Sequence, residues 1–138
     1  MYQTVMDIKT SGKGLHLVTA QIEEKLAPHI PDSGLLNLFL THTSASLLIQ
    51  ENADPTAKAD MEEFLERLVP EGEAWYRHLM EGPDDTTSHL KAALTNTFLS
   101  IPILQSKLGL GIWQGIYLWE HRKMPQSRRI VEIGRAHV

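Results

Sequence analysis

The sequence predicts an α+β domain dominated by β-strands, in the form of a two-sheet β-sandwich with about three flanking helices. Short β-prone runs separated by Gly and Pro turns recur along most of the chain, as in sandwiches. Only a few segments show helical spacing of apolar residues. The 138 residues, of which 42% are hydrophobic and 22% charged, can bury a core, and they contain no repeat or linker. We therefore expect a single domain over residues 1–138.

The first half of the chain predicts four strands and two helices. The strands are expected over residues 2–10, 15–19, 35–41 and 46–51. Residues 35–41 are apolar at both alternating sets of positions, which predicts burial on both faces. A first helix is expected over residues 19–27 with Thr19 as its cap. Asp54 and Pro55 suit the N-cap and first position of a second helix, which should continue to about Val69.

The second helix carries one apolar stripe with a carboxylate at its edge. The residues at stripe spacing are Ala57, Met61, Phe64, Leu65 and Leu68. Asp60 lies only about 40° from Phe64 on a helical wheel, so it is the helix carboxylate expected near the core side. Glu62, Glu63 and Glu66 are expected to point away from it.

The second half begins with an acidic loop over residues 70–87 and returns to strands after a short helix. Ser88 is expected to cap a helix over 89–96, and strands follow in "FLSIPI", "KLGLGIWQGIYLWEH" and "RRIVEI". Glu120 lies among apolar residues and needs a partner if it is buried. Arg122, Arg128 or Arg129 could supply the opposite charge.

Composition narrows the classes of partner and chemistry. The formal net charge of −4 argues against a nucleic-acid partner. Because the chain has no cysteine, it has no disulfide, thiol nucleophile or Cys-ligated zinc. No apolar run reaches membrane length and the N-terminus does not resemble a signal peptide, so we expect a cytoplasmic protein without a membrane partner.

The run "HTSASLLIQENADP", residues 42–55, concentrates hydrogen-bonding side chains beside the apolar "LLNLFL". Buried polar groups without partners are costly, so this run either lines a cleft or forms a satisfied network. His42, Ser44 and Ser46 share one face if the strand continues through them. A strand end with solvated hydroxyls is the alternative. No glycine elbow flanks either serine, which argues against acyl transfer.

Three further stretches contain candidate site residues. His78 and His89 bracket "EGPDD", which suggests a cation-binding loop or simply a solvated one. Trp113 and Gln114 follow two glycines and suggest the wall of a site, although a core strand with aromatic packing is the alternative. Arg128 and Arg129 in "QSRR" suit a phosphate or carboxylate, or an exposed pair of salt bridges.

In their order along the chain, "HTSASLLIQENADP", "SHLKAAL", "GIWQGIYLWEHR" and "RRIVEI" resemble the YjbQ-like family, whose members are often labelled secondary thiamine-phosphate synthase. The resemblance spans about residues 2–134. It implies a β-sandwich core with flanking helices, a compact homotrimer, and a polar pocket that uses the "HTSAS" segment and two later histidines. The positions that match are His42, Ser44, Ser46, Glu51, Asn52, Asp54, Asp60, His78, Asp85, His89, Gly111, Trp113 and Gln114. His121 carries less weight, because many relatives differ after the position of Glu120.

Three functions are compatible with these residues. The first is an enzyme that joins a pyrimidine diphosphate to a thiazole phosphate, with magnesium at Asp84 and Asp85 and phosphate on Arg128 or Arg129. The second is metal-assisted hydrolysis at a zinc-like ion, which the residues themselves favour. The third is a trimeric small-molecule binding protein without catalysis, its pocket at a subunit boundary.

The candidate roles follow from these functions. We expect a divalent metal, zinc-like or magnesium, and possible binding of a phosphorylated small molecule. The metal ligands are His42, His78 and His89. The candidate catalytic residues are Ser44, Glu51, Asp60, Asp85 and Gln114. The candidate substrate-binding residues are Ser46, Asn52, Trp113, Arg128 and Arg129.

Overall fold

The computed structural model describes residues 1–137 and consists of two antiparallel β-sheets and three α-helices. The strands are β1 (Tyr2–Lys9), β2 (Gly14–Leu17), β3 (Ser33–Leu40), β4 (Ala45–Glu51), β5 (Phe98–Leu104), β6 (Lys107–Leu108), β7 (Gln114–Glu120) and β8 (Ser127–Ala136). The helices are α1 (Thr19–Leu26), α2 (Pro55–Leu68) and α3 (Asp85–Leu94), and a 3-10 turn covers Ala27–His29. This architecture confirms the predicted β-dominated α+β fold.

The two sheets enclose the main core. One sheet has the strand order β1-β8-β3-β5-β6 and the other β2-β7-β4. Strand β3 gives the core Leu36, Leu38 and Leu40, each at most 1% exposed, whereas Leu35 and Phe39 face outward and are about half exposed. Burial of this strand on both faces was therefore a wrong prediction: only one face packs on the other sheet. Across the described residues, no helix combines the length and apolar character needed to cross a membrane.

Helix α2 packs with a different face from the one its apolar spacing predicts. Leu65 is buried, but Phe64 and Leu68 are exposed, and Asp60 is exposed as well. Glu62 instead turns inward, and its Oε2 accepts the backbone N–H of Leu15 at 2.8 Å. The expectation that Asp60 faces the core is wrong because partners on other elements select the carboxylate that turns inward.

The approach of α2 to β2 depends on Gly14. A Cβ at this position would lie 2.5 Å from Oε2 of Glu62, and the backbone φ is +133°. Both the close contact and the left-handed φ favour glycine. At its start, α2 follows the prediction, since the Asp54 side chain accepts the N–H of Thr56 at 2.9 Å and Pro55 begins the helix.

Three predicted boundaries differ from the structure. Helix α3 starts at Asp85, so Ser88 is not its cap but a buried residue of the first turn that donates to the Asp85 carbonyl at 2.6 Å. Thr19 lies inside α1, and its hydroxyl accepts the N–H of Ile116 at 2.8 Å instead of capping the helix. The long strand expected after residue 106 is interrupted between β6 and β7, where Gln114 and Gly111 bond to each other.

A buried ion pair joins β7 to β8, which confirms the expectation that Glu120 needs a partner. Glu120 is fully buried, and Arg128 supplies the opposite charge through Nε at 2.8 Å and through Nη2. Thr10 donates to Oε1 of Glu120 at 2.9 Å, and the N–H of Arg122 donates to Oε2 at 3.1 Å. Each carboxylate oxygen is therefore satisfied, as a buried charge requires.

A second buried carboxylate, that of Glu132 on β8, is not fully hydrogen-bonded. Its Oε1 has no hydrogen-bond partner within the described chain, and its Oε2 accepts only a long 3.4 Å bond from the hydroxyl of Tyr2. Burial raises the pKa of Glu132 to about 7, against smaller opposing effects of Tyr2 and Lys25. The folded chain thus keeps a proton that the unfolded chain releases at lower pH.

Replacing Arg128 by Ala should destabilise the fold far more than replacing its neighbour Arg129. Arg128→Ala leaves the Glu120 charge buried without its partner, which costs about 3–5 kcal/mol. Arg129 is exposed and reaches Asp7 only at 3.5 Å, so Arg129→Ala should change the free energy of unfolding by less than about 0.5 kcal/mol. Urea unfolding of both variants measures the difference. Equal losses would contradict a structural role specific to Arg128.

Replacing Glu132 by Gln should stabilise the protein increasingly as the pH rises. Because the folded pKa of about 7 exceeds the usual 4.5, the folded state binds more protons and wild-type stability falls between these pH values. Each pKa unit corresponds to about 1.4 kcal/mol, so the advantage of Glu132→Gln should grow by about 3 kcal/mol from pH 4 to pH 8. Urea unfolding across this range, with the exposed Glu23→Gln as control, measures it. Parallel profiles for wild type and Glu132→Gln would contradict the expectation.

Candidate functional site

Two histidines and an aspartate converge at the start of α3. Nε2 of His78 lies 2.7 Å from Oδ2 of Asp85, and Nε2 of His89 lies 2.9 Å from the same oxygen. One potential ligand atom from each residue lies within 4.8 Å of the others. Asp85 and His89 are four residues apart on one helix face, while His78 comes from the preceding loop. The structure thus brings together three of the residues singled out around "EGPDD".

The hydrogen bond to His89 fixes which of its nitrogens carries a proton. Nδ1 lies 2.8 Å from the carbonyl oxygen of Thr43, and a carbonyl can only accept, so Nδ1 is the donor. In a neutral imidazole, Nε2 then has only a lone pair, and this lone pair faces Oδ2 of Asp85. Two acceptors oppose each other at this contact. A cation between them, either a second proton on the ring or a metal ion, removes the repulsion.

Arg122 holds the carboxylates of this cluster in place. Its Nη1 donates to Oδ1 of Asp85, its Nε donates to Oδ2 of Asp84 at 3.0 Å, and its Nη2 donates to the carbonyl of Glu81 at 3.1 Å. Although burial raises the pKa of Asp85, the contacts with His78, His89 and Arg122 outweigh it and lower this pKa overall. Asp85 is therefore ionised at neutral pH, with Oδ2 directed at both histidines.

The third predicted metal ligand, His42, does not join this group. Its Nε2 accepts the backbone N–H of Arg129 at 2.8 Å, and its Nδ1 lies 3.4 Å from Nη1 of Arg128. Burial, followed by the charge of Arg128, lowers the pKa of His42. The described chain does not bring the three predicted histidines together, because both ring nitrogens of His42 face residues at the start of β8.

Ser44 and Ser46 have different surroundings, although the sequence places them on one face. Ser46 is fully buried, and its hydroxyl bonds to Nε2 of His121 at 2.8 Å and to the hydroxyl of Thr95. It therefore cannot contact a substrate in this chain, contrary to the prediction. Ser44 is half-buried and lies next to Thr43, whose carbonyl holds His89. Its proposed catalytic role stays a prediction.

His121 belongs to this buried network and is not a candidate ligand. It is 1% exposed, and burial, together with Lys91, Arg128 and Lys13, lowers its pKa to about 3. The ring is therefore neutral at physiological pH. Its bond to Ser46 ties β4 to the segment that follows β7.

A second group of predicted site residues surrounds the turn that precedes β7. The Gln114 side chain accepts the N–H of Gly111 at 2.7 Å, and Nδ2 of Asn52 donates to the Gln114 carbonyl at 3.3 Å. Oε2 of Glu51 accepts the N–H groups of Ala53 and Asp54. These polar side chains thus bond mainly to nearby backbone. Trp113, which is 60% exposed, forms the surface of this turn.

The two groups lie at opposite ends of the smaller sheet. In the antiparallel register of β4 and β7, Ala45 pairs with Glu120 and Glu51 pairs with Gln114. The 7 residues of β4 span about 20 Å. The cluster of His78, Asp85 and His89 lies beyond the Ala45 end, whereas Trp113 lies beyond the Glu51 end. The described chain therefore keeps the predicted metal ligands His78 and His89 apart from the predicted site residues at the turn before β7, which are Glu51, Asn52, Trp113 and Gln114.

The two arginines predicted to bind phosphate also differ. Arg128 is buried, and it donates to Glu120 and, through Nη2 at 3.2 Å, to the Ser44 carbonyl. It is therefore not available for a phosphate, which corrects the prediction. Arg129 is exposed and remains available. Arg122 was predicted only as a partner for Glu120. Its bonds to Asp84 and Asp85 were not predicted, since nothing local in the sequence links positions so far apart.

Comparison with known proteins gives the family. The model of the family described as "UPF0047 protein YjbQ-like" matches residues 4–133. A UPF0047 protein from Synechocystis sp. is 45% identical over 130 residues, covering 94% of this chain and 88% of its own. The UPF0047 protein YjbQ from Salmonella typhimurium is 44% identical and covers 94% of each chain.

Solved structures give the same fold. A conserved hypothetical protein from Thermus thermophilus superposes with a TM-score of 0.82 at 34% identity, covering 93% of this chain and 97% of its own. A hypothetical protein from Aeropyrum pernix superposes with a TM-score of 0.89 at 26% identity, covering 99% and 100%. The names of these relatives state no activity, so they do not support a thiamine-phosphate synthase. Over nearly its whole length, the chain belongs to the UPF0047 YjbQ-like family.

Proposed function

We propose that this protein is a metal-dependent hydrolase that acts on small molecules. Its metal ion would be held by His78, Asp85 and His89. The observation that carries the proposal is the opposition of two acceptors, Nε2 of His89 and Oδ2 of Asp85, at 2.9 Å. A bound metal ion turns this repulsion into two ligand bonds. A ligand histidine whose other nitrogen donates to a backbone carbonyl, as His89 donates to Thr43, is the usual arrangement at metal sites.

The three ligand atoms already lie close to the spacing that a metal ion needs. In a tetrahedral zinc site with ligand bonds of about 2.0–2.1 Å, ligand atoms lie about 3.3 Å apart. The two nitrogens lie 2.7 and 2.9 Å from the shared oxygen, and all three ligand atoms lie within 4.8 Å of one another, so each nitrogen would move about 0.5 Å away from the oxygen to admit the ion. The side chains of His78 and His89 are 52% and 39% exposed, so they can move outward.

The ligand set favours a zinc-like ion over magnesium. Two of the three ligands are imidazoles, which suit zinc, whereas magnesium prefers oxygen ligands. The magnesium pair expected at Asp84 and Asp85 is less suitable, because Asp84 accepts from Arg122 and from the N–H of Lys123 at 2.9 Å. Three protein ligands leave an open position, at which a zinc-like ion lowers the pKa of bound water to about 7.

The surrounding residues position this site. Arg122 occupies Oδ1 of Asp85 and leaves Oδ2 for the ion, and Thr43 orients the ring of His89. Ser44 directly follows Thr43, whose carbonyl accepts from His89, and its catalytic role remains a prediction. The homotrimer, a phosphorylated substrate and a cytoplasmic location remain predictions, and Arg129 is the arginine that could contact a phosphate.

The metal content of purified protein tests the proposal directly. Wild type exposed to zinc and then dialysed should retain about one ion per chain, and His89→Ala should lose it. His42→Ala serves as the matched control and should keep the ion, since His42 bonds to Arg129 instead. Elemental analysis measures the content. Absence of zinc from wild type would refute the proposal. Loss of zinc in His42→Ala would show that His42 is also needed for metal binding, as the sequence predicted.

Removing the arginine that holds Asp85 should weaken the metal site without abolishing it. Arg122→Gln loses the charge–charge contact that orients Asp85, so zinc affinity should fall about 10–100-fold. Competition with a chromogenic chelator measures the dissociation constant. Arg67→Gln is a suitable control, because Arg67 is exposed on α2 and pairs only with Glu63. Unchanged zinc affinity in Arg122→Gln would show that the bonds of Arg122 to Asp85 do not support the metal site.

A further inference from the structure

We propose that a groove between the end of α2, the loop that follows it and α3 binds a small apolar amine in its protonated form. The residues that line this Trp75 groove include Leu68, Glu73, Trp75, Tyr76, Leu90 and Leu94. Its volume of about 500 Å³ suits a small molecule, since ligand pockets commonly enclose about 300–1,000 Å³. The groove contains none of the candidate metal ligands, so the inference goes beyond the proposed function.

Apolar side chains form most of the surface of the Trp75 groove. Leu68 on α2 is 56% exposed, Leu94 on α3 is 62% exposed, and Trp75 on the loop is 67% exposed. Three large apolar side chains that line one concave surface and remain open to water are typical of a binding site. An apolar ligand body that covers them removes this surface from water, which favours binding.

Hydrogen bonds and ring packing hold the walls of the Trp75 groove in place. The hydroxyl of Tyr76 donates to the carbonyl of Pro70 at 2.7 Å. The ring of Tyr76 packs against the indole of Trp75, with centroids 4.6 Å apart and planes at 75°. The hydroxyl of Thr87 on α3 donates to the carbonyl of Val69 at 2.7 Å, which joins α3 to the end of α2. Because these walls are already ordered, a ligand loses less free energy to ordering them.

Glu73 adds an unpaired carboxylate to this apolar surface. It is half-buried, and among the described residues that line the groove it alone is charged. Within residues 1–137 it forms no ion pair, whereas Glu71, two residues earlier, pairs with Lys13 and Lys123. Burial and then the charge of Glu73 raise the pKa of Tyr76, in keeping with a carboxylate close to this ring. A carboxylate partly removed from water gains from a cationic partner.

The cations near the groove do not provide this partner. Arg67, in the last turn of α2, pairs with Glu63 at 3.0 Å. Lys91 on α3 is fully buried and pairs with Glu66. Arg77 is exposed and does not line the groove. The carboxylate in the groove is therefore left for a cation that comes with the ligand.

The groove thus selects for both parts of an apolar amine. The ammonium group of the ligand would donate to Glu73, and its apolar body would cover Leu68 and Leu94. The face of the Trp75 indole also attracts a cation, because an aromatic ring carries partial negative charge on its faces. An anion would be repelled by Glu73, and a neutral ligand would leave this carboxylate without an opposite charge.

Three soluble probes with the same phenylethyl body test the charge preference. At pH 7 phenethylamine is a cation, phenethyl alcohol is neutral and hydrocinnamate is an anion. Phenethylamine should bind about tenfold more tightly than phenethyl alcohol, because hydrogen bonds between charged groups are stronger than those with a neutral donor. Hydrocinnamate should bind most weakly. An NMR titration of the metal-free protein measures the dissociation constants from the indole N–H signal of Trp75, which is assigned by its loss in Trp75→Phe.

Glu73→Gln keeps the shape of the groove and removes its charge, so this variant should bind phenethylamine and phenethyl alcohol equally. Glu23→Gln is the matched control, because Glu23 is exposed on α1, and it should keep the tenfold preference. Equal binding of the two probes by wild type, or a preference that persists in Glu73→Gln, would overturn the proposal. So would tighter binding of hydrocinnamate, or the absence of any saturable shift at Trp75. Since the titration is made without metal, its outcome is independent of the proposed metal site.

Discussion

The arrangement of the candidate site depends on the buried ion pair between Glu120 and Arg128. Two charges removed from water remain tolerable only when every oxygen and N–H of the pair finds a partner, and these partners come from several segments. Glu120 accepts the backbone N–H of Arg122, which sets the start of the segment whose guanidinium reaches Asp85. Arg128 donates to the carbonyl of Ser44, which fixes the loop whose Thr43 carbonyl binds His89. The electrostatics of the core thereby determine the position of groups at the surface.

Features set by neighbouring residues in the sequence were predicted better than features set by contacts between distant residues. The start of α2 at Asp54 and Pro55 was predictable because a cap and the helix it begins are adjacent in the chain. The face on which α2 packs was not, because Glu62 turns toward the backbone of Leu15, a partner 47 positions away. Apolar spacing assumes that carboxylates avoid the protein interior, and this assumption fails wherever an unpaired N–H or a lysine is available there.

The same distinction applies to the site. His78, Asp85 and His89 lie within one short stretch, so their proximity in sequence was a fair guide to their proximity in space. The placement of His42 depends on how the start of β8 passes the loop after β3, which no spacing reveals. Trp113 and Gln114 were correctly singled out as unusual, but their distance from the histidines follows from the register of β4 and β7. Strand register is a property of the assembled sheet, so it could not be inferred from either strand alone.

Helix α3 has polar partners on two of its faces, and this limits changes in its length among members of the family. Asp85 and His89 face the site, while the fully buried Lys91 pairs with Glu66 on α2. One inserted residue between them would rotate Lys91 by about 100° relative to the histidine and leave an ammonium group in the interior without its carboxylate. Insertions and deletions that accumulate during evolution should therefore be excluded from Asp85–Lys91.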